Sequence, residues 1–435
     1  MSSAPDQPGA TTAPRAGDRV FRDQHGQLVA VLARVAGLQN LERVEDAVQA
    51  AFTAALETWR TSGTPDDPAG WLYRVAYNHL VGDLRRTASR SRLLAQDAAA
   101  KAPAIELPAA PAFAGEVKDE LLRMLFVCCH DSIPMESRLV LALKTLCGFE
   151  TSEIALRLFT SEANVLKRLA RARERLRALG PNLDTPAPAD LRARLSGVHA
   201  VLYLLFNEGY LAVGGEESIR RDLCDEAIRL TTMLAEHEVG AEPETFALLA
   251  LMHLHACRLG ARRDDAGGLL LLEEQDRSLW DRKTMELGMQ WLARSASGEV
   301  FSRFHAEAGI AAEHCLAPSF QETKWSEIVA LYEALERMSS SPIHTMNRAV
   351  ALAEWRSAEA GLALLEGLVP PSWLAGSYLW EAVLSDLHRR TGNTVAAETH
   401  RERALTLAPT ESMRVLLARR LANPQPSAAA TPALR

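Results

Sequence analysis

The run LERVEDAVQAAFTAALETW, residues 41–59, sets Val44, Ala47, Val48, Ala51, Phe52, Ala55, Leu56 and Trp59 at i, i+3, i+4, i+7 spacing without a miss. Residues three and four apart share one face of an α-helix, so this stripe predicts an amphipathic helix with a single buried side. The opposite side carries Asp46, Gln49 and Thr53 at i, i+3 and i+7, a compact polar strip available to a partner. The helical period recurs almost everywhere else, and Ala, Leu, Arg and Glu are abundant while aromatic residues make up only 6%. The expected fold class is therefore all-α, with almost no sheet.

Breaks in the period divide the chain. Residues 1–17, MSSAPDQPGATTAPRAG, have nothing to bury and are expected to be disordered, as is the loose tail NPQPSAAATPALR over 423–435. The Ala- and Pro-rich stretch from Leu93 to Glu116 carries no helical stripe and reads as a linker over 96–116; GPNLDTPAPAD reads as another over 181–190. The domains expected between them are 18–95, 117–180 and 191–422, since 435 residues exceed what one core usually serves.

The formal charge of -7 argues against nucleic acid only as an average. Between Asp18 and Gly180 there are 22 basic and 20 acidic residues, against 26 and 35 in the rest. Any DNA footprint belongs to the first part, and the acidic C-terminal part is a poor phosphate binder. Six scattered cysteines lack the spacing of a disulfide framework, and the N-terminus lacks a basic stretch leading into an apolar run. Both features predict a cytoplasmic protein with reduced thiols, and no window is apolar enough to span a membrane.

Two segments concentrate positive charge. In TPDDPAGWLYRVAYNHLVGDLRR, Asp67 is placed to cap a helix and Pro68 to occupy its first position. Leu72, Val75, Ala76, Leu80 and Leu84 would be buried, leaving Arg74, Asn78 and Arg85 outward with Trp71, Tyr73 and Tyr77 nearby. In the second, TSEIALRLF, a turn, and NVLKRLARARERLRAL form a helix-turn-helix pattern with Ser161 as cap. Buried positions Val165, Leu169, Ala172 and Leu176 put Asn164, Lys167, Arg168, Arg171 and Arg175 on the far side. Cations fix a protein on phosphates, Asn and Arg read base edges, and aromatic rings stack on unpaired bases.

VEDAVQAAFTAALETW with PAGWLYRVAYNHLVGDLRR resembles the second domain of extracytoplasmic-function sigma factors, and ETSEIALRLFTSEANVLKRLARARERLR resembles their fourth. The resemblance covers about Val20 to Leu179. It implies two small helical sigma domains: a core RNA polymerase contact at Asp46, Gln49 and Thr53, and -10 element recognition by Trp71, Arg74, Tyr77, Asn78, Arg85 and Arg86. It further implies -35 element recognition by Asn164, Lys167, Arg168, Arg171 and Arg175, so the partners are core RNA polymerase and promoter DNA. The turn departs from the pattern, with Phe159 and Thr160 where many relatives carry glycine.

HAVLYLLFNEGYLAVGGEES and LLLLEEQDRSLWD resemble the extension of one sigma subgroup with a tetratricopeptide-like C-terminal domain. One repeat is clean, Tyr378 to Glu411, with Gly392 in the turn, Ala397 and Ala404 at small-residue positions and Pro409 closing it. Such repeats suit a protein or peptide ligand. FNEGY, Phe206 to Tyr210, fits either a functional loop or a helix end with Tyr210 packed inward. Adjacent Cys128 and Cys129 before His130 have the wrong spacing for zinc, and His253 and His255, two apart on a helix, face different ways. No catalytic signature, metal site or cofactor motif is found. The alternative to a sigma factor is a one-component helix-turn-helix regulator with a helical-repeat sensor.

Overall fold

The computed structural model describes residues 16–95, 114–158, 160–179, 188–210, 220–264 and 270–422. The expected disordered ends and most of both linkers lie outside them, as does Phe159 of the turn. Among the described residues there is no β-strand, so the chain is all-α. Two compact units, Met1–Val201 and Leu202–Arg435, divide inside one helix.

The first unit begins with α1 (Ala16–Ala36), α2 (Leu41–Ser62) and α3 (Pro68–Ala95). The cap of α3 forms as the sequence requires: Asp67 Oδ1 accepts from the Gly70 amide at 2.9 Å and Pro68 opens the helix. On α2, Val44, Ala47, Val48, Ala51 and Ala55 are buried, and half-buried Trp59 meets Trp71 of α3 with ring centroids 5.5 Å apart. Leu56 departs from the expected stripe and is 57% exposed. Glu57, Thr58 and Arg60 are exposed with it, while Ala55 is buried and Trp59 half-buried.

Next come α4 (Ala114–Cys128), α5 (Met135–Thr145), α6 (Thr151–Arg157) and α7 (Glu162–Leu179). Glu150 and Glu153 make a reciprocal capping box on α6, and the Thr151 hydroxyl donates to Glu162 at 2.7 Å, tying α6 to the start of α7. Helix α1 lies against α4 and α5, so the two modules pack together within the unit. Two glycines permit this. A Cβ on Gly26 would stand 2.4 Å from the Leu146 carbonyl oxygen; one on Gly148, whose φ is +69°, would stand 2.8 Å from the His25 ring. The short α8 (Pro188–Ala193) and the start of α9 (Leu195–Tyr210) complete the unit.

In the second unit, the remainder of α9 is followed by α10 (Arg221–Glu236), α11 (Pro243–Ala256), α12 (Arg282–Ser295), α13 (Arg303–Leu316), α14 (Trp325–Met338) and α15 (Pro342–Trp355). Then come α16 (Ala358–Glu366), α17 (Ser372–Ala375), α18 (Tyr378–Arg390), α19 (Thr394–Thr406) and α20 (Glu411–Ala422). Contacts run mainly between near neighbours in sequence, giving a stack of helical hairpins. In the α18–α19 hairpin, Gly392 takes φ +80° in the turn, Ala397 and Ala404 are buried, and the Ser385 hydroxyl donates to the Ala397 carbonyl at 2.9 Å. FNEGY is the helical end of α9 rather than a loop: Tyr210 is buried against Phe206 and His255, and a Cβ on Gly209 would meet the Arg220 carbonyl oxygen at 2.7 Å.

All six cysteines are buried free thiols. Among the described residues no helix is long and apolar enough to cross a membrane.

Candidate nucleic-acid interface

Helix α7 buries one apolar stripe and turns most of its cations outward, with Leu166 exposed among them. Val165, Leu169, Ala172 and Leu176 are buried, while Asn164, Lys167, Arg171 and Arg175 are exposed and Arg168 half-buried. Ser161 Oγ accepts from the Asn164 amide at 3.2 Å, and the Asn164 side-chain amide donates to Thr160 Oγ1 at 3.2 Å. That second bond holds Asn164 at the mouth of the turn, where the first residues of a recognition helix meet base edges. The cationic face follows without acidic interruption from Lys167 to Arg171.

On α3 the outward residues are Arg74, Asn78, Arg85 and Arg86, all exposed, with His79 beside them. Tyr77 is not among them. Its ring is 3% exposed and packs on buried Tyr73, with centroids 6.1 Å apart. Tyr73, Tyr77 and Leu80 fall three or four residues apart beside Leu72 and Ala76, so the buried arc of α3 is wider than the aliphatic stripe alone indicates. Trp71 is half-buried against Trp59.

The polar strip of α2 is present, with Asp46 and Thr53 exposed and Gln49 half-buried. Gln49 already has a partner across the unit: its side-chain amide donates to Glu150, the cap of α6, which also receives Lys144 Nζ at 3.1 Å. Exposed Leu56 extends the same face by a further turn.

Beneath this strip lies an ionic contact that the periodicity did not reveal. Glu45 is 1% exposed, accepts from the Thr145 hydroxyl at 2.6 Å and pairs with Arg173 of α7 at 2.5 Å. Burial pushes the Glu45 carboxyl up, opposed by Arg173, Thr145 and Lys144. His25, buried near Lys144, is held down to about 4 by burial and by that lysine's charge. Arg173 was legible only negatively, as the one basic residue of the helix centre that falls outside the Asn164 to Arg175 face.

A helix-turn-helix with an outward cationic face, packed on a helical module with a second basic face, is the arrangement of a DNA-binding protein, and the family matches narrow it to promoter recognition of the sigma-70 class. Residues 20–90 match the sigma-70 region 2 family, residues 123–176 match sigma-70 region 4, and residues 194–296 match a family of unknown function. An uncharacterised protein of Rhizobium meliloti is 36% identical over 375 residues, covering 86% of this chain and 88% of its own. No solved structure matches. The matched sigma-70 regions place the chain among the extracytoplasmic-function-like sigma factors that carry a C-terminal extension.

Proposed function

We propose that this chain is an alternative sigma factor that binds core RNA polymerase, directs initiation at a defined set of promoters and works in the cytoplasm by binding rather than catalysis. The observation that carries the reading is α7, whose base-reading and phosphate-binding candidates lie on its outward side while Val165, Leu169, Ala172 and Leu176 are buried on the other. In this reading Asn164, Lys167, Arg168, Arg171 and Arg175 engage the -35 element. Arg74, Asn78, Arg85 and Arg86, with Trp71, engage the -10 element, and Tyr77 serves the α3 core.

Asp46, Gln49, Thr53 and the exposed Leu56 make the polymerase contact. Because Gln49 is bonded to Glu150, polymerase must displace that bond to use it. The extension, a hairpin stack with tetratricopeptide-like character at α18–α19, conditions sigma activity and carries a protein or peptide contact.

Co-purification with core polymerase, followed by transcription from a promoter selected by the complex, tests the proposal. Stable core binding with promoter-specific transcripts is the expected outcome. Tight binding to isolated duplex without core binding would instead establish the one-component regulator.

A further inference from the structure

The extension holds a half-open cavity of about 300 Å³ where α9, α11, α13, α14 and α15 converge, with an aliphatic wall that includes Leu254, Ile310 and Leu335. Its polar groups fall into two sets. Glu307 accepts from the Tyr203 hydroxyl at 2.8 Å, and Tyr332 and Asn347 lie with them. The other set is Arg258 with His255 and His314.

Arg258 brings a full positive charge to this cavity without a counter-ion. Among the described residues no carboxylate pairs with it; its donors reach the Tyr210 hydroxyl and, at 3.4 Å, His255 Nδ1. Its buried Nε has no partner, and neither has the buried Nδ1 of His314. Burial, with Arg258 and Arg277 nearby, lowers the His314 pKa to about 4, so the ring is neutral near neutral pH. Buried charges are normally paired and buried donors normally bonded, because desolvation without a partner is costly. Here a guanidinium without a counter-ion, its Nε unpartnered, and an unpartnered imidazole nitrogen border one cavity within an acidic unit.

We propose that this cavity binds a small organic anion, whose carboxylate or phosphate group is taken by Arg258 and His314 and whose polar remainder reaches Glu307, Tyr332 and Asn347. The volume stands at the lower limit for ligand pockets, which fits a metabolite rather than a peptide. The site lies wholly in the extension, so it stands or falls apart from promoter recognition.

The full chain is titrated at constant ionic strength with succinate, with glycerol phosphate and with uncharged glycerol, following thermal unfolding and hydrogen exchange. A saturable rise in melting temperature with one anion and none with glycerol is expected, with new protection confined to α11, α13, α14 and α15. Saturation by succinate assigns a carboxylate; saturation by glycerol phosphate assigns a phosphate ester. Arg258→Met, which removes an unpaired charge rather than a pair, and His314→Phe should each weaken the response about tenfold or more. No saturable response to either anion, or an equal response in both variants, overturns the proposal.

Discussion

Glu45 of α2 and Arg173 of α7 meet at 2.5 Å in the interior of the first unit, joining the helix proposed to contact polymerase to the helix proposed to read DNA. The Glu45 side chain is 2% exposed and that of Arg173 13%, so solvent screens the pair little; Glu42 adds a second, exposed carboxylate at 3.1 Å. Removing the cation alone leaves a buried carboxylate without its counter-charge. Arg173→Met should therefore cost about 3–5 kcal/mol of stability, whereas the double variant Glu45→Leu with Arg173→Met should recover most of it. Urea unfolding of the three proteins measures this. A single variant within about 0.5 kcal/mol of the parent would mean that the pair contributes nothing.

Stability should fall in mild acid. His25 and His199 in the first unit, and His253 and His314 in the extension, are held to about 4 by burial, against an ordinary 6.5. In that window the unfolded chain binds protons that the folded chain refuses, so stability is greatest above the ordinary value and is lost as pH drops through it. Each group contributes a slope of about 1.4 kcal/mol per pH unit at most. Glu45, Glu208 and Glu273 act in the opposite sense, since their raised pKa values let the folded chain take up those protons first, but burial also lowers His255, His130 and His388, so the imidazoles outnumber them. Urea midpoints at about pH 7 and pH 5 should differ clearly, with the lower one at pH 5. Equal midpoints would contradict the burial of these imidazoles.

Much of this was legible in sequence because helical period reports burial directly. The α7 stripe and the Ser161 cap follow from residue order, and Gly392 in its turn follows from the repeat pattern. Glu45 was not legible. A charged residue between Val44 and Asp46 reads as part of the solvated side until α5 and α7 supply Thr145 and Arg173, and those partners are 100 and 128 residues away. The inward turn of Tyr77 escaped for a related reason: an aromatic residue with a polar tip suits a core and a nucleic-acid surface equally. The cavity at Arg258 is built from five helices that no local pattern connects.

The α7 assignments separate by salt dependence. If Lys167 and Arg171 hold phosphates as proposed, alanine at either should weaken binding alike on all sequences and drop the salt slope by about one unit. Asn164→Ala should instead relax base preference by about 1–3 kcal/mol at one position if the contact is bidentate. The Asn164 backbone amide keeps its bond to Ser161 in that variant, so the helix start survives. Binding of the complex with core polymerase to a promoter and to its single-base variants gives both readings. Unchanged selectivity in Asn164→Ala would remove it from the reading set.

The hairpin of α18 and α19 is held close by small residues. Ala404 is fully buried in a cluster with Ala382, Leu417 and Leu421, so a larger side chain there has no space to enter. Ala404→Leu should cost about 1–3 kcal/mol by overpacking. Gly392 offers a contrast within the same hairpin. Nothing lies within 4 Å of a Cβ placed there, yet its φ of +80° is one that residues with a side chain seldom adopt. Gly392→Ala should therefore cost about 1–2 kcal/mol through backbone strain alone. Asparagine, which tolerates that conformation better, should cost less than alanine at the same position. Thermal unfolding of Ala404→Leu, Gly392→Ala and Gly392→Asn gives the comparison. Equal losses in the two Gly392 variants would show that the turn adopts another backbone conformation in solution.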